Sequence, residues 1–153
     1  MKNQSEMDEI LSVLQSNSRV QEMKKYIQHG NVSTYDHCEA VAKLSYWIDQ
    51  QFSLHSDLKV LLIGAMLHDF YLYDWHNEDD GSHHLHGLKH AETACENAKK
   101  YFQIDDKTSR VISCHMWPLN PEKVPMTKEE WIVCIADKWV SLQETLFKRS
   151  TQR

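Results

Sequence analysis

Residues 56–70 read SDLKVLLIGAMLHDF, and this stretch decides the fold class. Eight consecutive residues, Val60 to Leu67, are apolar with Gly64 among them, and Val60 and Ile63 are the only β-branched members. A run of this kind is either a buried strand or a helix buried on nearly every side. The preponderance of Leu, Ala and Met, with Ser56 placed to cap it, favours the helix. Its length is far short of the roughly 20 residues a membrane span requires. The run ends on His68-Asp69. Adjacent helical residues do not share a face, so such a pair suits a helix end, or two side chains reaching toward different metals. A buried aspartate is costly unless it is paired, hydrogen-bonded or bound to a metal.

Outward from this stretch helical periodicity and punctuation recur, and no alternating strand of useful length is found. Upstream, Glu6 to Gln15 carries a stripe of Ile10, Leu11 and Leu14. Ser18 is placed to cap a second helix containing Val20, Met23 and Ile27, closed by Gly30. Thr34 is placed to cap a third, with Ala40, Val41, Leu44, Trp47 and Ile48 as its apolar positions. Downstream, FYLYDWHNEDDGSHHLHG (70–87) reads as a loop rich in functional side chains. A fifth helix is predicted over His86 to Phe102, with Leu88, Ala91, Ala94, Cys95 and Ala98 on one side. Asp105 or Asp106 opens a sixth that runs to about His115, and Pro118, Pro121 and Pro125 bar helix beyond it. Thr127 and Glu130 form a capping box for the last helix, with Trp131, Ile132, Ile135, Trp139, Leu142 and Leu146 as its expected buried stripe. The expected architecture is all-α, a single-domain bundle of about six or seven helices. Its core lies at about 30–145, with residues 1–29 as an N-terminal helical extension.

The chain has 153 residues, the size of one ordinary domain. Seventeen Lys and Arg against twenty-two Asp and Glu leave a net charge of −5, which argues against coating a nucleic-acid polymer. Only four glycines and three prolines argue against a turn-rich β protein. The four cysteines, at 38, 95, 114 and 134, include no C-x-x-C pair, and the N-terminus shows no apolar signal region. These features predict a soluble, cytoplasmic protein with free thiols and no membrane partner.

Ten histidines point to metal or proton chemistry. His37 falls in the first turn of the third helix, on or beside its apolar face, and His115 ends the sixth. Asp137 lies among apolar residues of the last helix, where an unpaired carboxylate would be expensive; a buried ion pair with Lys or Arg is its bland alternative. His86 and His90 are spaced i, i+4, but Gly87 occupies the glutamate position of an H-E-x-x-H motif, which excludes a simple zincin. Phosphate-binding glycine loops and a G-x-S-x-G nucleophile elbow are absent.

Taken in order, His37 in YDHCEAVA, His68 and Asp69 in GAMLHDF, His86 in LHGLKHAETA, His115 in SCHMWP and Asp137 in IADKW resemble the HD-domain superfamily of metal-dependent phosphohydrolases. The minimal H…HD…D pattern implies one metal. His86 and His115 resemble the additional ligands of a subgroup with a binuclear centre, which includes bacterial hydrolases of symmetrical dinucleoside polyphosphates. In that subgroup the ligand histidine precedes a glycine and stands five and eight residues before two small residues. Ala91 and Ala94 keep that register and favour His86 over His83, His84 or His90.

The resemblance implies a ligand set of His37, His68, Asp69, His86, His115 and Asp137 around two divalent transition-metal ions. Imidazole and carboxylate donors together suit Fe, Mn, Co or Zn. Asp69 and His68 would be central to catalysis, with Asp69 shared between the metals and a metal-bridging hydroxide as nucleophile. The reaction would cleave a phosphoester or phosphoanhydride of a small phosphorylated molecule, a nucleotide among the options. Leu72 stands where such relatives commonly carry a phosphate-binding lysine, so Lys138, Lys89, His90 and Trp117 become the candidate substrate contacts. Two other readings stay open: an HD-fold di-iron oxygenase and a non-catalytic metal-bound regulatory module. A homo-oligomer is left open as well. His29 and His55 read as surface or helix-end residues, and His76, His83, His84 and His90 as lining the loop beside the site.

Overall fold

The computed structural model describes residues 2–73 and 83–148. Along these residues run α1 (Lys2–Gln15), α2 (Ser18–Glu22), a 3-10 turn (Met23–Lys25), β1 (Ile27–His29), β2 (Val32–Ser33), α3 (Thr34–Gln51), α4 (Leu58–Leu67), α5 (His83–Phe102), α6 (Asp106–Cys114) and α7 (Lys128–Lys148). The fold is all-α apart from one antiparallel hairpin, which pairs Ile27 with Ser33 and His29 with Val32. No helix among the described residues is long and apolar enough to cross a membrane.

The run that opened the reading is the central helix. Asp57, one residue after the expected Ser56, caps α4 by accepting from the Lys59 and Val60 amides. On one side Val60, Leu61, Leu62 and Ala65 pack with Met7 and Leu11 of α1, Val41 and Ala42 of α3, and Ile132, Val133, Ala136 and Val140 of α7. On the other, Met66 and Leu67 pack with Val20, Met23, Cys38, Ala94, Ala98 and Ile112. Burial on both sides explains why α4 carries no polar face. Each of its fully buried Leu and Met side chains is worth about 1.5–3 kcal/mol.

Gly64 sits where α4 meets α6. A Cβ at this position would stand 2.5 Å from Val111 Cγ1 and 2.9 Å from Val111 Cβ. The helices therefore touch closely one turn before His68 on α4 and one turn before His115 on α6.

The caps or faces of three further helices differ from expectation. Asn17, not Ser18, caps α2, and the helix ends at Glu22 instead of running to Gly30. Ile27 lies in β1, and Gly30, at φ 58°, makes the hairpin turn that only a residue tolerant of positive φ closes easily. The hairpin is too short to show a period of two in the sequence. In α3 the cap is Ser33, whose side chain accepts from the Asp36 amide, and Trp47 is exposed while Cys38, Ala42, Ser45 and Asp49 join Val41 inside. In α7, Ile132 is buried as expected, but Ile135, Trp139, Leu142 and Leu146 face outward. The reason is helical geometry: residues two apart point to nearly opposite sides, so a buried Asp137 turns Ile135 and Trp139 out. Val133, Ala136 and Val140 fill the core in their place.

The capping box at Thr127 is half formed. The Glu130 amide donates to Thr127 Oγ1 at 3.3 Å, whereas the Glu130 carboxylate accepts from the Met126 amide at 2.7 Å and from Arg110 Nε and Nη2 at 3.2 and 3.0 Å. Burial would raise the Glu130 carboxyl, but the Arg110 and backbone donors outweigh it and leave it lowered. Arg110→Ala should cost about 1–2 kcal/mol in thermal or denaturant unfolding, less than a deep ion pair because the guanidinium is partly exposed. Because the folded-state pKa is depressed, the loss should be full above pH 4.5 and shrink as pH falls through the folded value. Gly64→Ala should destabilise by about 1–3 kcal/mol through overpacking and weaken metal binding by parting His68 from His115. Unfolding and metal titrations on this variant check both effects.

Candidate metal centre

Five of the six ligands expected from the sequence meet in one buried cluster: His37, His68, Asp69, His115 and Asp137. His68 and His115 are placed by the same local device. Each is the C-cap of its helix, and each ring donates from Nδ1 to the carbonyl three residues back, Ala65 and Ile112, at 2.6 Å. That bond fixes the tautomer and turns Nε2 into the interior. The two rings lie edge to face with centroids 4.8 Å apart.

Asp69 follows directly on α4 and stands between two sets of donors. Its Oδ2 lies 3.3 Å from His68 Nε2 and 3.6 Å from His37 Nε2. Asp137 Oδ1 is 3.0 Å from His37 Nε2 and 3.4 Å from His68 Nε2. Asp69 Oδ1 points the other way, 3.1 Å from His90 Nε2 and 3.4 Å from His115 Nε2. Three groups capable of holding a cation result among the described residues: His37–His68–Asp69–Asp137 and Asp69–His90–His115, with Asp69 in both, and His29–His37–Glu144 on the far side of the His37 ring. Among the described residues no Lys or Arg pairs with Asp137; His37, His68 and Ser141 surround it.

The donor set fits a metal. His68 Nε2 and Asp69 Oδ1 are fully buried without a hydrogen-bond partner, a costly condition that a coordinated cation removes. His90 Nε2 and His115 Nε2 face each other at 3.0 Å, an arrangement that two neutral imidazoles sharing a cation satisfy directly. All six groups are nitrogen or carboxylate donors, which suits borderline transition metals.

Three groups that the sequence did not reveal complete the site. Glu144, seven residues after Asp137 and so on the same face of α7, accepts from His37 Nδ1 at 2.9 Å. That turns His37 Nε2 inward as the carbonyls do for the other two rings. The i, i+7 spacing from Asp137 was the available signal. Gln28 of β1 donates from Nε2 to Asp69 Oδ2 at 2.7 Å, and its Oε1 accepts from the Tyr71 hydroxyl. No periodicity could have found it, since the hairpin is what carries it in. His29, expected at the surface or a helix end, is half-buried in β1 with its ring 5.7 Å from that of His37.

The other expected contacts disperse. His90, read as a substrate contact, is buried on α5 against Asp69 and His115. His86 belongs to α5, but its side chain lies outside the described residues, as do His76, His83 and His84. The Lys138 ammonium donates to the His115 carbonyl at 2.8 Å. Trp117 stacks edge to face on Trp131, and Lys89 is exposed.

Burial opposes every charge in this cluster, and the partners decide the outcome. Desolvation would raise the Asp69 and Asp137 carboxyls, yet His68 foremost for Asp69, and His37 for Asp137, hold both well below the usual range. Desolvation would lower His37, but Asp137 and Glu144 push it up to about 10. His68 is likewise raised, chiefly by Asp69, whereas burial wins at His115 and lowers it.

A family model of the HD domain matches residues 34–140, and the chain belongs to that family, one of metal-dependent phosphohydrolase type. No curated protein and no solved structure matches the chain.

A cation can reach His37 Nε2 only by displacing its proton. Metal uptake at pH 7 should therefore release protons, and apparent affinity should rise from pH 6 to 9. Calorimetry in buffers of different ionisation enthalpy measures both; uptake indifferent to pH would contradict the assignment. In metal-free protein the raised His37 contributes stability fully below 6.5, and loses it as pH climbs through about 10. Melting temperatures of the metal-free protein should accordingly fall between pH 7 and 10.

Proposed function

We propose that the protein is a binuclear metal-dependent phosphohydrolase acting on a phosphoester or phosphoanhydride of a small phosphorylated molecule, a nucleotide among the candidates. The observation that carries this reading is the division of the Asp69 carboxylate between two donor groups, one oxygen toward each. His37, His68 and Asp137 would hold one cation and His115 the other. His90 is the histidine whose described geometry suits the second site, in place of the His86 favoured by the motif register. Two divalent cations so placed supply water of lowered pKa and positive charge against the phosphoryl oxygens.

The chain's own residues set the conditions for that chemistry. The Ala65 and Ile112 carbonyls and Glu144 aim three imidazole nitrogens inward, and Gln28 with Tyr71 fixes the Asp69 carboxylate plane. Full burial excludes bulk water from the ligand nitrogens and strengthens each electrostatic contact. With Leu72 in the position of the relatives' lysine and Lys138 engaged behind His115, the phosphate charge is met principally by the cations.

Purified protein should hold two transition-metal ions by elemental analysis. It should also release phosphate from a panel of nucleotides, dinucleoside polyphosphates and sugar phosphates equally well with and without oxygen. Turnover that needs oxygen would replace this reading with the oxygenase, and two bound metals with no hydrolysis would replace it with the regulatory module. Asp69→Asn should lower turnover by at least about a hundredfold and reduce metal content, since both cations lose a shared ligand. His90→Ala should leave one cation per chain. Retention of two by His90→Ala, with one by His86→Ala, would return the ligand role to His86.

A further inference from the structure

The outward face of α7 carries a second pattern that the metal centre does not use. Ile135, Trp139, Leu142 and Leu146 are 54%, 54%, 49% and 59% exposed. Their spacings of four, three and four place them in one narrow stripe, the seam of a two-helix coiled coil. The opposite face of the same helix holds Asp137, Val140 and Glu144, so the stripe is not a misplaced core. Flanking it are Lys138, Gln143 and Thr145, with no carboxylate, on a chain whose net charge is −5. A water-facing helical surface is normally dominated by charged and polar residues.

We propose that this stripe is where a second copy of the chain docks, with the two α7 helices antiparallel about a two-fold axis. The spacing is a palindrome. An antiparallel copy sets Ile135 against Leu146 and Trp139 against Leu142, twice each, with all four pairs centred between residues 140 and 141. That is the self-complementarity a two-fold interface requires. The area also fits. Four half-exposed side chains of this size offer roughly 100 Å² apiece, about 400 Å² of apolar surface per copy. Homodimer interfaces are about 65% non-polar, so the complete interface comes to on the order of 1,200 Å² for the pair, the lower edge of stable complexes. Among the described residues of α7, Lys138 is the charged residue that flanks the stripe, so the copies meet without crowding of carboxylates.

Sedimentation equilibrium of the full chain over 1–200 µM tests the pairing. Wild-type protein should associate toward twice the 18.0 kDa chain mass as concentration rises. I135K and L146E should each weaken association at least tenfold while circular dichroism shows unchanged helicity, because both positions are exposed in the single chain. The double variant I135K/L146E should recover association, since the antiparallel register sets each lysine against the other copy's glutamate. A wild-type chain that stays monomeric throughout would overturn the proposal and hand the stripe to a different partner. Single variants that associate like wild type, or a double variant that stays monomeric, would overturn the register.

Discussion

The structure depends on one buried carboxylate. Asp69 sits in the interior with an oxygen turned to each of two histidine groups, and burial alone would make it among the least tolerable residues in the chain. Four imidazoles and the Gln28 amide surround it, and each arrives from a different element: the hairpin, α3, α4, α5 and α6. The bundle is in this sense organised around an anion. Its apolar core positions the helices, and the need to satisfy Asp69 determines which of their ends must converge.

That convergence is built from plain local devices. The α4 and α6 helices stop at a histidine of the buried cluster, and a ring nitrogen takes up a carbonyl left free at the helix end. The same bond therefore finishes the helix and orients the imidazole. Gly64 against Val111 fixes how near the two helix ends approach. The C-terminal helix supplies the third arm, with Asp137 facing the cluster and Glu144 holding His37 from behind. A helix with so polar an inner edge cannot bury its whole apolar surface, and the surplus appears outside as a coiled-coil stripe.

Fold class was plain from residues 56–70. An apolar run without a polar face demands neighbours on all sides, and in a chain poor in glycine and proline those neighbours are helices. Five ligand-type residues were also legible, because histidines and aspartates at the ends or on the inner faces of helices make poor core residues unless something binds them. The faces of α3 and α7 were harder. Apolar residues recur on more than one side of each, so periodicity alone selected a stripe through Trp47 in one and through Ile135 and Trp139 in the other. The buried groups decided the rotation: turning Asp137 inward turns Ile135 and Trp139 out, and in α3 an inner face made of His37, Val41, Ser45 and Asp49 leaves Trp47 outside.

The sequence by itself determined the helical class, the central place of α4 and the residue types of a metal-dependent site, all of which follow from local periodicity and the cost of burying charge. Only the tertiary structure decided that Gln28 and Glu144 support that site and that Asp69 faces two donor groups. It also decided that His90 stands within reach of Asp69 and that one face of α7 is left to the outside. Gln28 and Asp69 are 41 positions apart and His37 and Glu144 are 107 apart, and no spacing along the chain encodes a contact made by packing one helix against another.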